Sequence, residues 1–210
     1  WFLLLADSKP MCGIVAALAL KPGLAREELV RRTSGMADAI RHRGPDADAV
    51  WTDASANLAL AHRRLSIVDL SPAGAQPMVG AGGRYTIAFN GEIYNFRDVR
   101  AQLAAREWRG HSDTEVLLAA IEAWGVEAAL ARFVGMFAFA LWDAARQRLW
   151  VVRDRVGKKP LYYAETPGAW LFASELKALA ADPRVRRDID PLAVREYLRY
   201  GYVPAPLSIY

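Results

Sequence analysis

The chain is poor in cysteine, in histidine and in long hydrophobic runs. Its 210 residues include one cysteine, Cys12, and three histidines. A single thiol cannot close an internal disulfide or supply a cysteine-rich zinc site, and three scattered histidines argue against a metal centre. No charge-free apolar stretch approaches the ~18 residues that a membrane helix needs. The apolar start Trp1-Phe2-Leu3-Leu4-Leu5 lacks the basic lead-in and the ~7–15-residue core of a signal peptide. No membrane partner and a cytoplasmic location are therefore expected. A concentrated charge of one sign is missing too. The balance of 27 basic and 23 acidic residues leaves a net charge of +4 and a pI near 9.3. The basic residues are spread over Arg41/Arg43, Arg63/Arg64, Arg153 to Lys159 and Arg184 to Arg187. That scatter excludes the stripe of a nucleic-acid binder. Disorder is excluded as well, because 53% apolar and 24% charged residues can fill a core and keep its surface wet. The length suits one generous domain or two small ones.

What is present is a succession of short apolar runs separated by glycine- and proline-rich breaks. Gly13 to Leu20 is closed by Lys21-Pro22-Gly23, which predicts a strand buried on both faces. Leu29, Met36, Ala37 and Ile40 recur at helical spacing, so residues 25–41 are expected to form an amphipathic helix, broken by Arg43-Gly44-Pro45-Asp46. Strands are expected at 48–52, 58–68 and 84–90, with a loop where Pro72, Gly74, Pro77, Gly80, Gly82 and Gly83 crowd together. Asn90-Gly91 ends a strand in this reading and by itself signals a hairpin. Helices are predicted over 96–107 and 114–124, the second capped by Ser112 or Asp113. The alternation of large and small side chains from Met136 to Trp142 predicts a strand between two layers, with further strands at 148–153, 161–164 and 169–174. Helices at 175–181 and 191–199 follow, the latter with Asp190 as cap and Pro191 in its first turn. Strands and helices in this order make an α+β protein rather than repeated βαβ units.

Met11 immediately precedes Cys12, whereas the chain starts with Trp1 and stops at Ile209-Tyr210 without a cap. Residues 1–10 are expected to be a leader or upstream extension, and 11–210 the functional domain, cut at its C-terminal end. Methionine aminopeptidases remove Met before small residues, which would leave Cys12 with its own α-amine. An α-amine titrates near ~7.7–8.0 and a thiol near ~8.5, so the amine can act as general base at neutral pH. Nucleophile and base then belong to one residue. The alternative is that Cys12 is a small apolar side chain packed in a strand.

A set of motifs in fixed order bears on that choice: Cys12-Gly13-Ile14-Val15, Arg41-His42-Arg43-Gly44-Pro45-Asp46, Ala61-His62-Arg63-Arg64-Leu65-Ser66-Ile67-Val68-Asp69 and Asn90-Gly91-Glu92-Ile93-Tyr94-Asn95. Ser112-Asp113-Thr114-Glu115, Gly135 to Phe139, Arg153 to Tyr163, Ala173 to Leu179 and Gly201 to Pro206 continue it. From Met11 to its last residue the chain resembles the glutaminase domain of glutamine-dependent asparagine synthetases, class II glutamine amidotransferases with an N-terminal nucleophile.

The resemblance implies the four-layer αββα sandwich of the N-terminal nucleophile hydrolases, with Cys12 at the start of a central strand. It implies that Cys12 attacks the side-chain amide of L-glutamine to give a thioester and ammonia. The oxyanion donors would be the Asn90 side chain and the backbone N–H of Gly91, where no side chain blocks approach. Arg64 would grip the α-carboxylate bidentately, in preference to its neighbour Arg63. Glu92 and Asp113 would face the α-ammonium, and Leu65, Ile67 and Val68 would line the pocket through backbone groups. Arg41, His42, Gly44, Pro45 and Asp46 are expected to shape a loop near Cys12. His62 is expected to be a satisfied structural partner, and the Arg153–Lys159 loop to have a conformational or domain-contact role, with no catalytic clue in Lys158-Lys159. No cofactor is expected in this domain. ATP and Mg belong, in this reading, to a C-terminal synthetase domain absent from the chain, which would amidate aspartate with the ammonia. A homodimer is compatible with the sequence. The rivals are a glutaminase of the same type serving another acceptor, and a non-catalytic scaffold.

Overall fold

The residues that alternate along each strand decide how the layers stack. The computed structural model describes residues 11–20, 25–65 and 72–210. The strands are β1 (Gly13–Ala19), β2 (Ala47–Asp53), β3 (Leu58–Arg64), β4 (Met78–Val79), β5 (Tyr85–Ile93), β6 (Gly135–Asp143), β7 (Arg148–Arg153), β8 (Tyr162–Thr166) and β9 (Ala169–Ala173). The helices are α1 (Arg26–Asp38), α2 (Phe96–Gln102), α3 (Asp113–Trp124), α4 (Val126–Arg132), α5 (Leu176–Ala180) and α6 (Pro191–Tyr200). Two antiparallel sheets result, one ordered β2-β3-β1-β9-β8 and the other β4-β5-β6-β7.

β1 sends Val15 and Ala17 to one face and Ile14 and Ala16 to the other, all of them buried. Val15 and Ala17 join Ala59, Ala61, Leu171 and Ala173 under Leu29, Met36 and Ile40 of the α1 segment and Leu179 of α5. Ile14 and Ala16 join Leu58 and Leu60 against Ala88, Ala138, Ala140 and Trp142 of the second sheet. The far side of that sheet carries Ile87, Phe89, Phe137, Phe139 and Leu141, covered by Val116, Leu117, Leu118 and Ile121 of α3 and by α4. Helix, sheet, sheet, helix: the four-layer αββα sandwich expected from the resemblance is the architecture observed. Alanines on the facing surfaces let the two sheets meet over a thin shared core.

Most predicted elements are present, and the differences have local causes. The first helix stops at Asp38 rather than running to residue 41; a separate 3-10 turn, Arg41–Arg43, follows and turns Arg43 inward, where it is buried. The helix expected over 96–107 ends at Gln102, because Leu103 goes extended and packs on the α3 core. Helix α4 was not anticipated; Gly125, at φ +81°, ends α3 and starts it. The short strand β4 lies in the segment expected to be loop. Asn90-Gly91 neither ends a strand nor makes a hairpin. β5 runs through both to Ile93, pairing Asn90 with Ala138 and Gly91 with Phe137. A Cβ at position 91 would collide with the Met136 carbonyl oxygen and lie 2.6 Å from Phe137 Cα. Glycine is there for close strand approach, not for a turn. Ser112 is the cap of α3, accepting from the Glu115 N–H, and Asp190 caps α6. No described helix is long and apolar enough to cross a membrane.

Candidate active site

Strand parity gathers the expected site on the facing surfaces of the two sheets. In β3, Ala59 and Ala61 face α1, so Arg63 does too, whereas Leu60, His62 and Arg64 face the second sheet. In β5, Ala88 faces the first sheet, and so do Asn90 and Glu92 two and four residues on. Cys12 continues the parity of Ile14 and Ala16, and Gly13 pairs with Arg63, which brings Cys12 to the end of β3. There its Sγ lies 3.4 Å from the Leu65 amide nitrogen and 3.5 Å from the Leu65 carbonyl oxygen. Both backbone groups of Leu65 thus lie against the Cys12 thiol. Ile67 and Val68 lie outside the described residues.

The two adjacent arginines have separate work. Arg63 donates to the Ala37 carbonyl at 3.1 Å and pairs with Asp38 and, at 3.2 Å, with Asp48, so it bolts α1 to the sheet. Arg64 is near enough to Cys12 and to His62 to perturb both electrostatically. His62 is buried. Its Nε2–H donates to the Phe89 carbonyl at 3.0 Å, and burial above all pushes its pKa down to about 4. It is a neutral strut between the sheets and not a base at neutral pH, but only half of the satisfied partner expected, since its buried Nδ1 has no partner.

Burial raises the Cys12 thiol pKa, against a hydrogen bond with Leu65 and the positive charges of Lys159, Arg64 and Arg43. Arg43 is closer than the sequence suggested: its Nε donates to the Cys12 carbonyl at 3.0 Å, and its Nη1 to Glu175 at 3.0 Å. Gly44 beside it leaves no room for a side chain against the Arg63 and Arg64 backbone. Lys159 was missed. Its ammonium is buried 2.9 Å from Met11 Sδ. Burial lowers its pKa, as do Arg43 and Lys158, while Cys12 and Glu92 oppose the shift. The Asp154 carboxylate accepts the Lys158, Lys159 and Phe137 amides, and Arg153 donates to the Lys159 carbonyl. The Arg153–Lys159 loop is thus folded so as to bring a cation against Met11 and within electrostatic reach of Cys12. Its signal in the sequence was an aspartate closing a loop on itself, read only as a conformational feature.

Hydrogen-bond parity fixes the direction of the backbone groups around Asn90 and Gly91, the expected oxyanion donors. Phe137 gives its carbonyl to the Asp154 amide and its N–H to the Asp154 carboxylate, so neither group faces Gly91. The backbone polar groups of Phe89, Gly91 and Ile93 then all point away from β6, along the outer edge of β5. Gln76 accepts the Phe89 N–H, His62 donates to the Phe89 carbonyl, and Asp113 accepts the Ile93 N–H at 2.9 Å. The Gly91 N–H lies between these occupied groups with no partner among the described residues. Asn90 Nδ2, one residue away and buried, also has none. Arg43 Nη2, His62 Nδ1 and Trp150 Nε1 are likewise buried without a partner, but Asn90 Nδ2 and the Gly91 N–H are open donors on adjacent residues of one strand, where a single acceptor that is not protein could take both.

At the far end of this edge stand two acids. Asp113 is buried; burial, with Glu92 adding to it, raises its pKa, against hydrogen bonds from the Ile93, Thr114 and its own backbone amides. Glu92 is exposed within reach of both Asp113 and Lys159. Among the described residues no group of three or more His, Cys, Asp or Glu could hold a metal.

A cysteine at the mouth of the first strand of an αββα sandwich, with a buried and unpartnered asparagine amide on the facing sheet, is the arrangement of the N-terminal nucleophile fold. Residues 11–210 match the family model described as glutamine amidotransferase domain, and the chain belongs to that family. It is similar to asparagine synthetase [glutamine-hydrolyzing] 3 of Bacillus subtilis (strain 168), 38% identical over 195 residues that cover 91% of this chain and 31% of that protein. It is 37% identical over 216 residues to a putative asparagine synthetase of Mycobacterium tuberculosis (strain H37Rv), covering 95% of this chain and 33% of the relative. Amidase chry2 of Gibberella zeae is 38% identical over 180 residues, 81% of this chain and 26% of that protein. The chain thus spans about a quarter to a third of these relatives. Among solved structures, the glutamine phosphoribosylpyrophosphate amidotransferase of B. subtilis, complexed with ADP and GMP, superposes with a TM-score of 0.68 at 20% identity. That match covers 86% of this chain and 46% of the other and bears on the fold.

Proposed function

We propose that this domain hydrolyses L-glutamine to glutamate and ammonia through Cys12, once the residues up to Met11 have been removed. The observation that carries the reading is the pair of adjacent β5 donors: Asn90 Nδ2, buried without a partner, and the Gly91 N–H, which strand parity turns away from β6. The freed Cys12 α-amine takes the thiol proton as Sγ attacks the γ-carboxamide carbon. The carbonyl oxygen becomes an oxyanion held by the two donors. Collapse breaks the C–N bond, the amine returns its proton to the leaving nitrogen, and ammonia departs from a γ-glutamyl thioester. Water, deprotonated by the same amine, cleaves the thioester to glutamate. Arg64 holds the α-carboxylate, and Glu92 with Asp113 the α-ammonium. Bringing a cation to Asp113 relieves the cost of an acid buried beside a second acid. Leu65, with Ile67 and Val68, lines the pocket.

The relatives' names support asparagine formation as the use of the ammonia: a synthetase part joined to this domain would activate aspartate with ATP and Mg in the cytoplasm, while this domain needs no cofactor. The similarity to an amidase supports a second reading, the same glutaminase serving another acceptor. Intact mass before and after exposure to an electrophilic glutamine analogue tests the first step. A chain beginning at Cys12 that gains one adduct, lost in Cys12→Ala, supports the mechanism. A chain with a free Cys12 amine that takes no label, or is labelled elsewhere, overturns it.

A further inference from the structure

The steps above leave one feature unused: the end of β9 is tied to the root of β1 at two points, one on each side of Gly13. The last paired residues of the two strands are Val15 and Ala173. Beyond them, the Ser174 amide donates to the Ile14 carbonyl at 3.0 Å, and Ser174 Oγ accepts the Ile14 amide, also at 3.0 Å. One fully buried serine therefore satisfies both backbone groups of Ile14. On the other side of Gly13, the Cys12 carbonyl receives Arg43 Nε, and the same guanidinium places Nη1 on Glu175 Oε1. Gly13 makes the approach feasible, since a Cβ there would lie 2.8 Å from Ile40 Cδ1 and 3.5 Å from Arg43 Cδ.

We propose that Glu175 is a positioning residue for the nucleophile, acting through Arg43 on the Cys12 carbonyl while its neighbour Ser174 anchors Ile14. The inference rests on the reading of Cys12 as nucleophile. Cys12 precedes the first ladder pair, so the sheet does not orient its carbonyl; the planar guanidinium does so instead. Holding that carbonyl and the Leu65 contacts of Sγ together determines the direction in which the thiol leaves the strand. Arg43 has 9% of its side chain exposed and Glu175 24%, unlike a solvated surface pair. Glu175 holds the guanidinium by Nη1 while Nε stays on the Cys12 carbonyl, so the two contacts together fix its plane. The Glu175 carboxylate also collects His42 at 3.0 Å and Lys177 at 3.2 Å, which lock its own position. Burial pushes this carboxyl up, but hydrogen bonds from Arg43, Lys177 and His42 outweigh that and leave it below the usual range.

The test is the alkylation of Cys12 by a diazo-ketone analogue of glutamine, on protein whose N-terminus has been verified by mass. Dependence on analogue concentration separates the maximal rate from the half-saturating concentration. Glu175→Ala is expected to lower the maximal rate roughly tenfold to a hundredfold, as misplacing a reacting group does, and to leave half-saturation unchanged. Glu175→Gln, which keeps an acceptor in reach of Arg43, should restore most of the rate. Glu175→Asp, which keeps the charge but is one methylene short, should not. In an Arg43→Met background Glu175→Ala should add nothing, because the two act in series. A parent-like rate in Glu175→Ala, an Asp variant faster than the Gln variant, or additive losses would overturn the inference. Failure of the parent protein to label at Cys12 would instead remove the reading of the nucleophile on which it stands.

Discussion

Cys12 sits between opposing influences, and each can be removed singly. Burial holds its thiol protonated, while Lys159, Arg64 and Arg43 favour the thiolate. Lys159→Met keeps the apolar stem and deletes the charge, so the midpoint of Cys12 alkylation against pH is expected to move upward, and Lys159→Arg to bring it back. An unmoved midpoint would mean that the ammonium serves the Met11 contact and not the thiol. Asn90 makes a different prediction. Its Nδ2 has no protein partner, and in the proposed mechanism only the oxyanion engages it, so its loss is expected to fall on the chemical step. Asn90→Ala should lower kcat by roughly 10²–10³ with little change in KM. A rise in KM alone would make Asn90 a substrate-binding group. The sequence motif named both Arg63 and Arg64 as neighbours; strand parity in β3 assigns Arg63 to α1 and Arg64 to the cleft.

Strand β5 does the most at the scale of elements. One row of its side chains fills the core under α3, and the other row carries Asn90 and Glu92 to the cleft. Its outer edge spends Phe89 on Gln76 and His62 and Ile93 on Asp113, and leaves the Gly91 N–H without a partner among the described residues. The strand is positioned from the other side by β6, with no space at Gly91. Gly91→Ala is therefore expected to push β5 and β6 apart, destabilising the protein by about 1–3 kcal/mol. For a domain of this size that lowers Tm by roughly 2–4 °C per kcal/mol, with activity falling further than stability because both oxyanion donors shift. Calorimetry and glutaminase assays on the same sample check this, and a variant with parent-like Tm would contradict the close packing. The hairpin signal in Asn90-Gly91 misled because a local dipeptide preference cannot sense a partner strand on its flank. α4 was missed for a related reason: Gly125 marks a break, but whether a helix resumes depends on Val126 and Ala129 finding the α3 core.

For the whole molecule, the strut between the sheets is also a pH liability. His62 has a folded pKa of about 4 against an ordinary 6.5. The unfolded chain therefore binds a proton between those values that the folded chain refuses, so stability is full above pH 6.5 and falls as pH drops toward 4. The shift corresponds to a loss on the order of 3 kcal/mol at the acid end. Asp143, Asp154 and Asp182, with pKa values held below the usual range, lose their contribution only as pH falls further. Denaturant titrations at pH 7 and pH 5 should show the decline, and His62→Gln should flatten it while costing stability at pH 7. An unchanged slope in that variant would place the acid sensitivity elsewhere.

The amino-acid order by itself determined the α+β class, most strand and helix positions, the cap at Asp190, and, through ordered motifs, the family and the expected site, while it left the cap of α3 open between Ser112 and Asp113. These are local or pattern properties: alternation, helical spacing, capping chemistry and short strings carry them without reference to distant residues. Tertiary structure alone decided that Arg43 stands on the Cys12 carbonyl with Lys159 in electrostatic reach, that Arg43 links Glu175 to Cys12 across 163 positions of sequence, and that the Gly91 N–H points outward. Each depends on which strand lies beside which and on the parity of their hydrogen bonds. A charge, an orphaned donor or a two-point clamp is a relation between chain segments, and only packing brings those segments within the few ångströms at which hydrogen bonds and buried charges act.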